Sequence, residues 1–184
     1  MGVPGASAVH VRGSLEADMR AVTEIYREQV AHGLATFETI PPDLDEMTRR
    51  RAAILAAKLP YLVAEQDGIV TGFAYAAPYR ERAAYQLTVE DSVYVASDQR
   101  GSGIGRLLLS TLIENCSESG YRQMVAVIGD SANAASIGLH ARLGFRVGGV
   151  LPSVGFKLGR WVDTVLMSRP LGDGDRTKPQ VNAD

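Results

Sequence analysis

The sequence has little of several features that mark whole classes of protein. It contains one cysteine, Cys116, so no intrachain disulfide can form, and its place on the apolar stripe of a predicted helix favours a small buried side chain. Three histidines, His10, His32 and His140, are scattered without a cysteine pair, so no metal site is predicted. No apolar run approaches the ~18 residues that a membrane span requires.

Charge gives no sign of a large charged partner. The chain has 19 Lys and Arg against 21 Asp and Glu, a formal net charge of −2. This balance leaves no basic footprint for nucleic acid or for an acidic membrane surface. Residues 1–8 also lack the charged and apolar regions of a signal peptide. We therefore expect a cytosolic protein that binds neither nucleic acid nor membrane.

The size and composition of the chain predict one globular domain with a real core. Its 184 residues are 46% hydrophobic and 22% charged. Glycine, proline and serine in residues 1–8 predict a flexible N-terminus. Residues 171–184 have few apolar side chains and predict a disordered C-terminal tail. Residues 9–170 then form the domain.

Hydrophobic periodicity and turn signals predict an α/β chain. Strands are predicted at 9–11, 61–65, 69–77, 88–96, 124–128, 145–151 and 161–167, and helices at 14–33, 43–59, 104–120 and 134–143. Ser14 and Asp43 are placed to cap the first two helices, and Asp67 before Gly68 suits a tight hairpin. The arginine run at 49–51 predicts a solvated helix face.

Residues 88–120 combine a strand, a glycine-rich turn and a helix. Glu90 lies on the polar face of the strand, which is unusual for a strand that should be central. Residues 100–105 read Arg-Gly-Ser-Gly-Ile-Gly, and glycine lets a backbone approach phosphate closely. The first N–H groups of the following helix lack partners, and the helix dipole favours an anion there. This combination predicts a site for a phosphorylated ligand beside a possible base.

Spacing excludes two other glycine-rich phosphate sites. A phosphate-binding loop of the nucleotide triphosphatase kind has Lys and then Ser or Thr after its last glycine, whereas Gly105 precedes Arg106 and Leu107. A dinucleotide fingerprint should open the first βαβ unit, whereas this loop lies past the middle of the chain. Its spacing is Arg-x-x-Gly-x-Gly.

This spacing after a strand resembles the acetyl-CoA pyrophosphate signature of the GNAT acetyltransferase superfamily, which Arg100, Gly103 and Gly105 match. Four stretches, in order, resemble the phosphinothricin N-acetyltransferase family. They are Thr-Val-Glu-x-Ser-Val-Tyr-Val at 88–95, Val-Ile-Gly at 127–129, Asn-x-x-Ser-x-x-Leu-His-x-x-Leu-Gly-Phe at 133–145 and Gly-Phe-Lys-x-Gly-x-Trp-x-Asp at 155–163. The resemblance covers roughly residues 9–170.

The resemblance implies a GNAT fold, with a central mixed and mostly antiparallel sheet that splays between its fourth and fifth strands and is flanked by helices. It implies acetyl-CoA as co-substrate, with the pantetheine arm in the gap, and a homodimer. The residues expected to hold acetyl-CoA are Val93, Tyr94, Val95, Arg100, Gly101, Ser102, Gly103, Ile104, Gly105, Arg106, Asn133 and Ser136. Without the matched pattern, Asn133 would be read as a plain helix cap.

Acetyl transfer to an amine needs a base, a polarised thioester carbonyl and a proton for the departing thiolate. Glu90 is predicted as the base, because burial raises the pKa of a carboxylate toward the working range; the alternative is a structural ion pair with Arg82. A backbone N–H between Val93 and Val95 is predicted to polarise the carbonyl. The resemblance places His140 where many GNAT enzymes have a thiolate-protonating tyrosine. It could protonate the sulfur, assist the base, or be a satisfied, partly buried histidine.

The acceptor implied by the resemblance is a small amino-acid-like amine such as phosphinothricin, methionine sulfoximine or methionine sulfone. Phe37, on a proline-rich loop, is either a wall of its pocket or a core residue. Arg80, Arg82 and Tyr85 share a segment in which the two arginines could bind a carboxylate or phosphinate, or be surface charges. A protein N-terminal acetyltransferase and a non-catalytic CoA-binding module are the alternative functions.

Overall fold

The computed structural model describes residues 8–179, which form seven strands and four α-helices in the predicted order. The strands are β1 (His10–Gly13), β2 (Tyr61–Gln66), β3 (Ile69–Pro78), β4 (Thr88–Val95), β5 (Gln123–Gly129), β6 (Arg146–Lys157) and β7 (Arg160–Pro170). The helices are α1 (Met19–His32), α2 (Leu44–Ala56), α3 (Ile104–Glu118) and α4 (Ala134–Arg142). None of the helices in this range is long and apolar enough to cross a membrane.

The strands form one sheet in the order β1-β2-β3-β4-β5-β7-β6. Every neighbouring pair is antiparallel except β4 and β5, which are parallel. Helices cover both faces of the sheet. Because successive side chains of a strand point to opposite faces, one strand contributes to the core on each side. On β3, Phe73 packs in the cluster formed with α1 and α2, whereas Ala74 packs in the cluster formed with α3.

The parallel pair comes apart partway along its length. Pairing runs from Thr88 opposite Gln123 to Asp91 opposite Ala126 and then stops. Beyond that point β4 continues beside β3 alone, and β5 continues to Gly129 beside β7 alone. A gap therefore opens in the middle of the sheet, as expected for the predicted fold.

The glycine-rich turn leads directly into a helix with a buried face. Gly103 stands at the N-cap of α3 in the left-handed region, with φ +91°. Buried residues follow at helical spacing, among them Ile104, Leu108, Leu112 and Cys116. Burial, and then the charge of Asp91, raises the pKa of the Cys116 thiol to about 12, which makes this cysteine a core residue as predicted.

One of the two predicted helix caps is wrong and the other is confirmed. Ser14 is buried and accepts a hydrogen bond from Arg51 Nε (2.7 Å), while a 3₁₀ turn (Glu16–Asp18) precedes α1. The Asp18 carboxylate closes that turn by accepting from the Leu15 N–H (2.7 Å). Asp43 caps α2 as predicted, accepting from the Glu46 N–H at 2.8 Å.

Residues 171–179 contact the domain in the structure, and the disordered C-terminal tail stays a prediction. Leu171 is 1% exposed, and Arg122 Nη1 donates to the Gly174 carbonyl (3.1 Å) and to Thr177 Oγ1 (2.9 Å). The buried side chain of Leu171 and the hydrogen bonds from Arg122 hold the segment. Its low apolar content gave no sign of either contact. The remaining residues of the predicted flexible termini, 1–7 and 180–184, lie outside the described residues.

Candidate active site

Two cavities adjoin where β4 and β5 part. The first, of about 220 Å³, is lined by Glu90, Asp91 and the start of the free segment of β4. The second, of about 460 Å³, reaches Arg100 and the loop after β5. Ala35, Val93 and Tyr94 line both, so the gap connects a carboxylate with the glycine-rich loop.

The glycine-rich loop presents bare main chain. Gly101 and Gly103 both have left-handed φ angles, +79° and +91°, and a Cβ atom built on either would meet nothing within 4 Å. The first backbone bond of α3 runs from the Leu107 N–H to the Gly103 carbonyl (3.1 Å). The N–H groups of Ile104, Gly105 and Arg106 therefore have no carbonyl partner within the helix and can donate to an anion. The loop thus fits the diphosphate that the sequence predicts here.

The structure brings most of the predicted cofactor residues together. Val93, Tyr94, Val95, Arg100 and Asn133 line the second cavity. Gly101, Ser102, Gly103, Ile104, Gly105 and Arg106 form the adjoining turn and the first turn of α3. The Ser102 hydroxyl already donates to the Gln99 carbonyl at 2.6 Å. The contribution of each side chain to cofactor binding stays a prediction.

Asn133 is a helix cap in this structure. Its side-chain oxygen accepts from the Ser136 N–H at 3.1 Å at the start of α4. Its amide nitrogen donates to the Gly129 carbonyl at 3.4 Å. These bonds fix the loop between β5 and α4 at the edge of the second cavity, and a direct bond to a cofactor stays a prediction.

Glu90 is half-buried against the first cavity. Burial, followed by the negative charge of Asp91, raises the pKa of its carboxyl, while the positive charge of Arg80 acts in the opposite direction. Among residues 8–179 the ion pairs do not include Glu90, so the alternative of a structural pair with Arg82 is not formed. The raised pKa makes this carboxylate a stronger base than a solvated glutamate.

Phe37 is a wall of the first cavity rather than a core residue. It is 38% exposed, and its ring lies on the main chain of Gly155 in β6, where a Cβ atom would come within 2.2 Å of Phe37 Cε1. The residue before it, Thr36, is buried, and its carbonyl accepts from Lys157 Nζ at 2.8 Å. Strand β6 therefore holds the loop in place over the cavity.

A second anchor of the same loop corrects the prediction for the arginine run. Arg50 Nη1 donates to Glu38 Oε1 at 2.6 Å, and Tyr26 Oη donates to the same oxygen at 2.9 Å. Arg50 Nε also donates to Glu46 Oε1 at 2.6 Å. This face of α2 is therefore not simply solvated, because Arg50 joins the loop to α2. Tyr26 joins the same loop to α1.

Arg80, Arg82 and Tyr85 line one groove, as their shared segment predicts, but they do not line the first cavity. The Arg80 guanidinium lies 4.8 Å from the Tyr79 ring centroid, and Tyr79 packs edge-on against Tyr85 at 5.6 Å. Both arginines are exposed. Their role in binding an acceptor stays a prediction.

His140 has a partner that the sequence did not reveal. It is 4% exposed, with Nε2 3.0 Å from Asp91 Oδ2 and Nδ1 2.8 Å from the Ser136 carbonyl oxygen. Burial lowers the pKa of His140, but the bond and charge of Asp91, together with the Ser136 carbonyl, outweigh it and raise the pKa. The available signal was a carboxylate on the apolar face of a central strand, since such a group needs a buried partner.

The site as a whole has the features of an enzyme that uses a phosphorylated donor. A main-chain anion loop, a partly buried carboxylate and a cleft between them occur together at one opening of the sheet. Within residues 8–179, no three His, Cys, Asp or Glu side chains are grouped to hold a metal ion.

Comparison with known proteins shows which family this is. The sequence model of the Acetyltransferase (GNAT) family matches residues 20–145. The chain is 56% identical over 173 residues to phosphinothricin N-acetyltransferase of Alcaligenes faecalis, covering 94% of this chain and 88% of that protein. It is 41% identical over 163 residues to an L-methionine sulfoximine/L-methionine sulfone acetyltransferase of Salmonella typhimurium, covering 89% and 95%.

A solved structure gives the same result. The crystal structure of a GNAT superfamily phosphinothricin acetyltransferase from Sinorhizobium meliloti, in complex with acetyl-CoA, superposes with a TM-score of 0.92 at 47% identity, covering 95% of each chain. The chain therefore belongs to the GNAT acetyltransferase family. This membership confirms the predicted fold and the predicted class of enzyme.

Proposed function

We propose that the protein transfers the acetyl group of acetyl-CoA to the α-amino group of a small amino-acid-like acceptor of the phosphinothricin or methionine sulfoximine and sulfone type. The relatives that carry these names support the acceptor class. The observation that carries the proposal is the placement of Glu90, which lines the cavity at the opening of the sheet and has a raised pKa.

The main chain of the glycine-rich loop binds the diphosphate of the donor. Free N–H groups at the start of α3 donate to it, and the exposed side chains of Arg100 and Arg106 add positive charge. The segment from Val93 to Val95 pairs with β3 alone, so its other edge faces the gap. N–H groups on that edge bond the arm of acetyl-CoA and polarise the carbonyl of the thioester, which the bound donor supplies.

Glu90 removes the proton that the acceptor ammonium must lose before its nitrogen can attack. Burial places the carboxyl pKa closer to neutrality, where a base combines sufficient ionisation with sufficient strength. The first cavity leaves room for a water to relay the proton. Phe37, which lines the same cavity, shields the reacting nitrogen from bulk water.

Arg80 and Arg82 favour an acidic small molecule over the N-terminus of a protein. Their guanidinium groups bind the carboxylate or phosphinate of the acceptor by charge-assisted hydrogen bonds. A protein chain has no free carboxylate beside its terminal amine. A non-catalytic CoA-binding module would have no use for a partly buried carboxylate facing the gap.

An acceptor screen tests the proposal directly. Purified protein is incubated with acetyl-CoA and separately with phosphinothricin, methionine sulfoximine, methionine sulfone, unmodified amino acids and a short peptide, and free thiol is measured. We expect thiol release with the first three acceptors. Release with the peptide alone would make the protein a peptide acetyltransferase. Acetyl-CoA binding by calorimetry without release for any amine would make it a binding module.

We also propose that the protein is a homodimer that associates through the β6 edge of the sheet. Large apolar side chains are exposed along this strand and its hairpin with β7: Val147 57%, Val150 48%, Leu151 47%, Val154 55%, Phe156 59% and Trp161 63%. A contiguous apolar edge of this kind favours association. Sedimentation should give a dimer at micromolar concentration, and Val154→Asp should give a monomer. A monomeric native protein would overturn this proposal.

A further inference from the structure

Asp91 and His140 form a buried pair at the point where β4 and β5 part. Asp91 is the last residue of β4 that pairs with β5, opposite Ala126. The two side chains are 2% and 5% exposed, and Asp91 Oδ2 lies 3.0 Å from His140 Nε2. Because His140 belongs to α4, this contact joins α4 to β4 across the vertex of the gap.

The partners of the imidazole determine where its protons are. Nδ1 lies 2.8 Å from the Ser136 carbonyl oxygen, which can only accept, so Nδ1 carries a proton. Nε2 faces a carboxylate oxygen of Asp91, which also accepts when it is ionised. Two accepting partners require a ring that donates from both nitrogens, which is an imidazolium.

The Ser136 hydroxyl also lies near His140 Nδ1, at 3.4 Å, but farther away than the Ser136 carbonyl oxygen at 2.8 Å. Asp91 Oδ1 is buried and has no hydrogen-bond partner among the described residues, so the bond through Oδ2 is the one that compensates this carboxylate. The titratable neighbours are Glu90, next along β4, and Cys116 on α3, and the Asp91 charge raises the pKa of both. Phe145 packs edge-on against the imidazole, with ring centroids 5.0 Å apart.

We propose that Asp91 is a positioning residue that holds His140 in its doubly protonated form and, through it, holds α4 against β4 beside the cofactor cavity. An imidazolium has no lone pair, so His140 does not take the proton of the acceptor amine, and Glu90 is left as the base. The start of α4 carries Asn133, which lines the cofactor cavity. Loss of the pair therefore loosens the donor side of the site first.

Nuclear magnetic resonance tests the protonation state without any assay of activity. The chain has three histidines, and His10 and His32 are exposed, so they serve as internal references for His140. At pH 7 the ¹⁵N shifts of the native protein should show both His140 nitrogens protonated. A bare Nε2, with the proton on Asp91, would overturn the proposal.

The variant Asp91→Asn removes the charge and keeps the shape of the side chain. Removing an opposite charge at this distance should lower the measured titration midpoint of His140 by roughly one to three pH units, with His10 and His32 unchanged. Asp45→Asn, at an exposed position of α2, is the matched control and should move none of the three. An unchanged His140 midpoint in Asp91→Asn would also overturn the proposal.

The kinetic consequence rests on the function proposed above. The KM for acetyl-CoA should rise with pH as His140 loses its proton, and in Asp91→Asn this rise should begin roughly one pH unit or more lower. If the pair were only structural, Asp91→Asn would lower the melting temperature, and the KM for acetyl-CoA would depend on pH as it does in the native protein. If the native protein acetylates none of the tested amines, the proposed function fails, while the magnetic resonance result still decides the state of the pair.

Discussion

The two adjoining cavities are built from different parts of the polypeptide. The proposed donor side uses the main chain of consecutive residues, 100–106, and depends on backbone angles and on missing Cβ atoms. The proposed acceptor side uses side chains from separate segments, including Phe37, Tyr75 and Glu90. The first kind of site is damaged by a change of backbone conformation, whereas the second is damaged by a change of packing or charge. Substitutions should therefore affect one substrate and leave the other unchanged.

Glu90→Gln should have the largest effect. The amide keeps the shape of the side chain but cannot take a proton, so kcat should fall by roughly 10² or more, the scale of lost general-base help. The KM for acetyl-CoA should not change, because the donor side is intact. Steady-state kinetics with an acceptor identified by the screen measure both values, and Glu114→Gln on the exposed face of α3 is the control. Unchanged turnover would show that Glu90 is not the base.

Gly155→Ala should damage the acceptor side alone. The added methyl would lie 2.2 Å from Phe37 Cε1, so the ring must move, and overpacking typically costs about 1–3 kcal/mol. We expect kcat/KM for the acceptor to fall roughly tenfold, with acetyl-CoA binding unchanged by calorimetry. Gly149→Ala, on the same strand with nothing within 4 Å, is the matched control. Equal losses in both variants would mean that the strand, not the ring, is responsible.

Gly103→Ala should damage the donor side alone. A left-handed conformation costs a residue with a Cβ atom about 1–2 kcal/mol, so the turn relaxes and its N–H groups no longer converge. The KM for acetyl-CoA should rise roughly fivefold, while the KM for the acceptor stays constant. Gly13→Ala, at the end of β1 with nothing within 4 Å, controls for the change of residue type. An increase confined to the acceptor would contradict the assignment of the two sides.

Arg80→Ala should give the smallest effect, on the pH dependence of kcat. Arg80 lowers the pKa of Glu90, so its removal raises that pKa. Because kcat falls as the pH drops through the pKa of the base, the acid limb should move to higher pH. The shift should be only a few tenths of a pH unit, since Arg80 is exposed and screened by salt.

Arg82→Ala is the comparison for this shift, because the Arg82 charge has no such influence on Glu90. Both substitutions should raise the KM for a carboxylate-bearing acceptor and leave the KM for acetyl-CoA unchanged. An equal acid-limb shift in the two variants would contradict a specific effect of Arg80. Equal loss for both substrates would indicate misfolding.

The loop geometry of the proposed donor side could be predicted from the sequence because it is local. The glycine spacing at 101–105 and the helix that follows lie within a few residues of one another. In the other cavity, Glu90 alone stood out, as a charge on a central strand. The contacts that shape the acceptor side are not local. Thr36 and Lys157, which bond each other, are 121 residues apart, and Asp91 and His140 are 49 apart. Period two places Asp91 on an apolar face, but no periodicity or spacing identifies the partner in either pair, because the partner depends on the finished fold.

The position of Trp161 gives this protein a built-in optical reporter. It is the one tryptophan in the chain, it is 63% exposed on the β6 and β7 hairpin, and its ring contacts Phe156 with centroids 5.3 Å apart. Indole emission shifts to shorter wavelength when water leaves its surroundings, so all tryptophan fluorescence here comes from a single surface. Burial of that surface in the proposed dimer can thus be followed during dilution without attaching any dye.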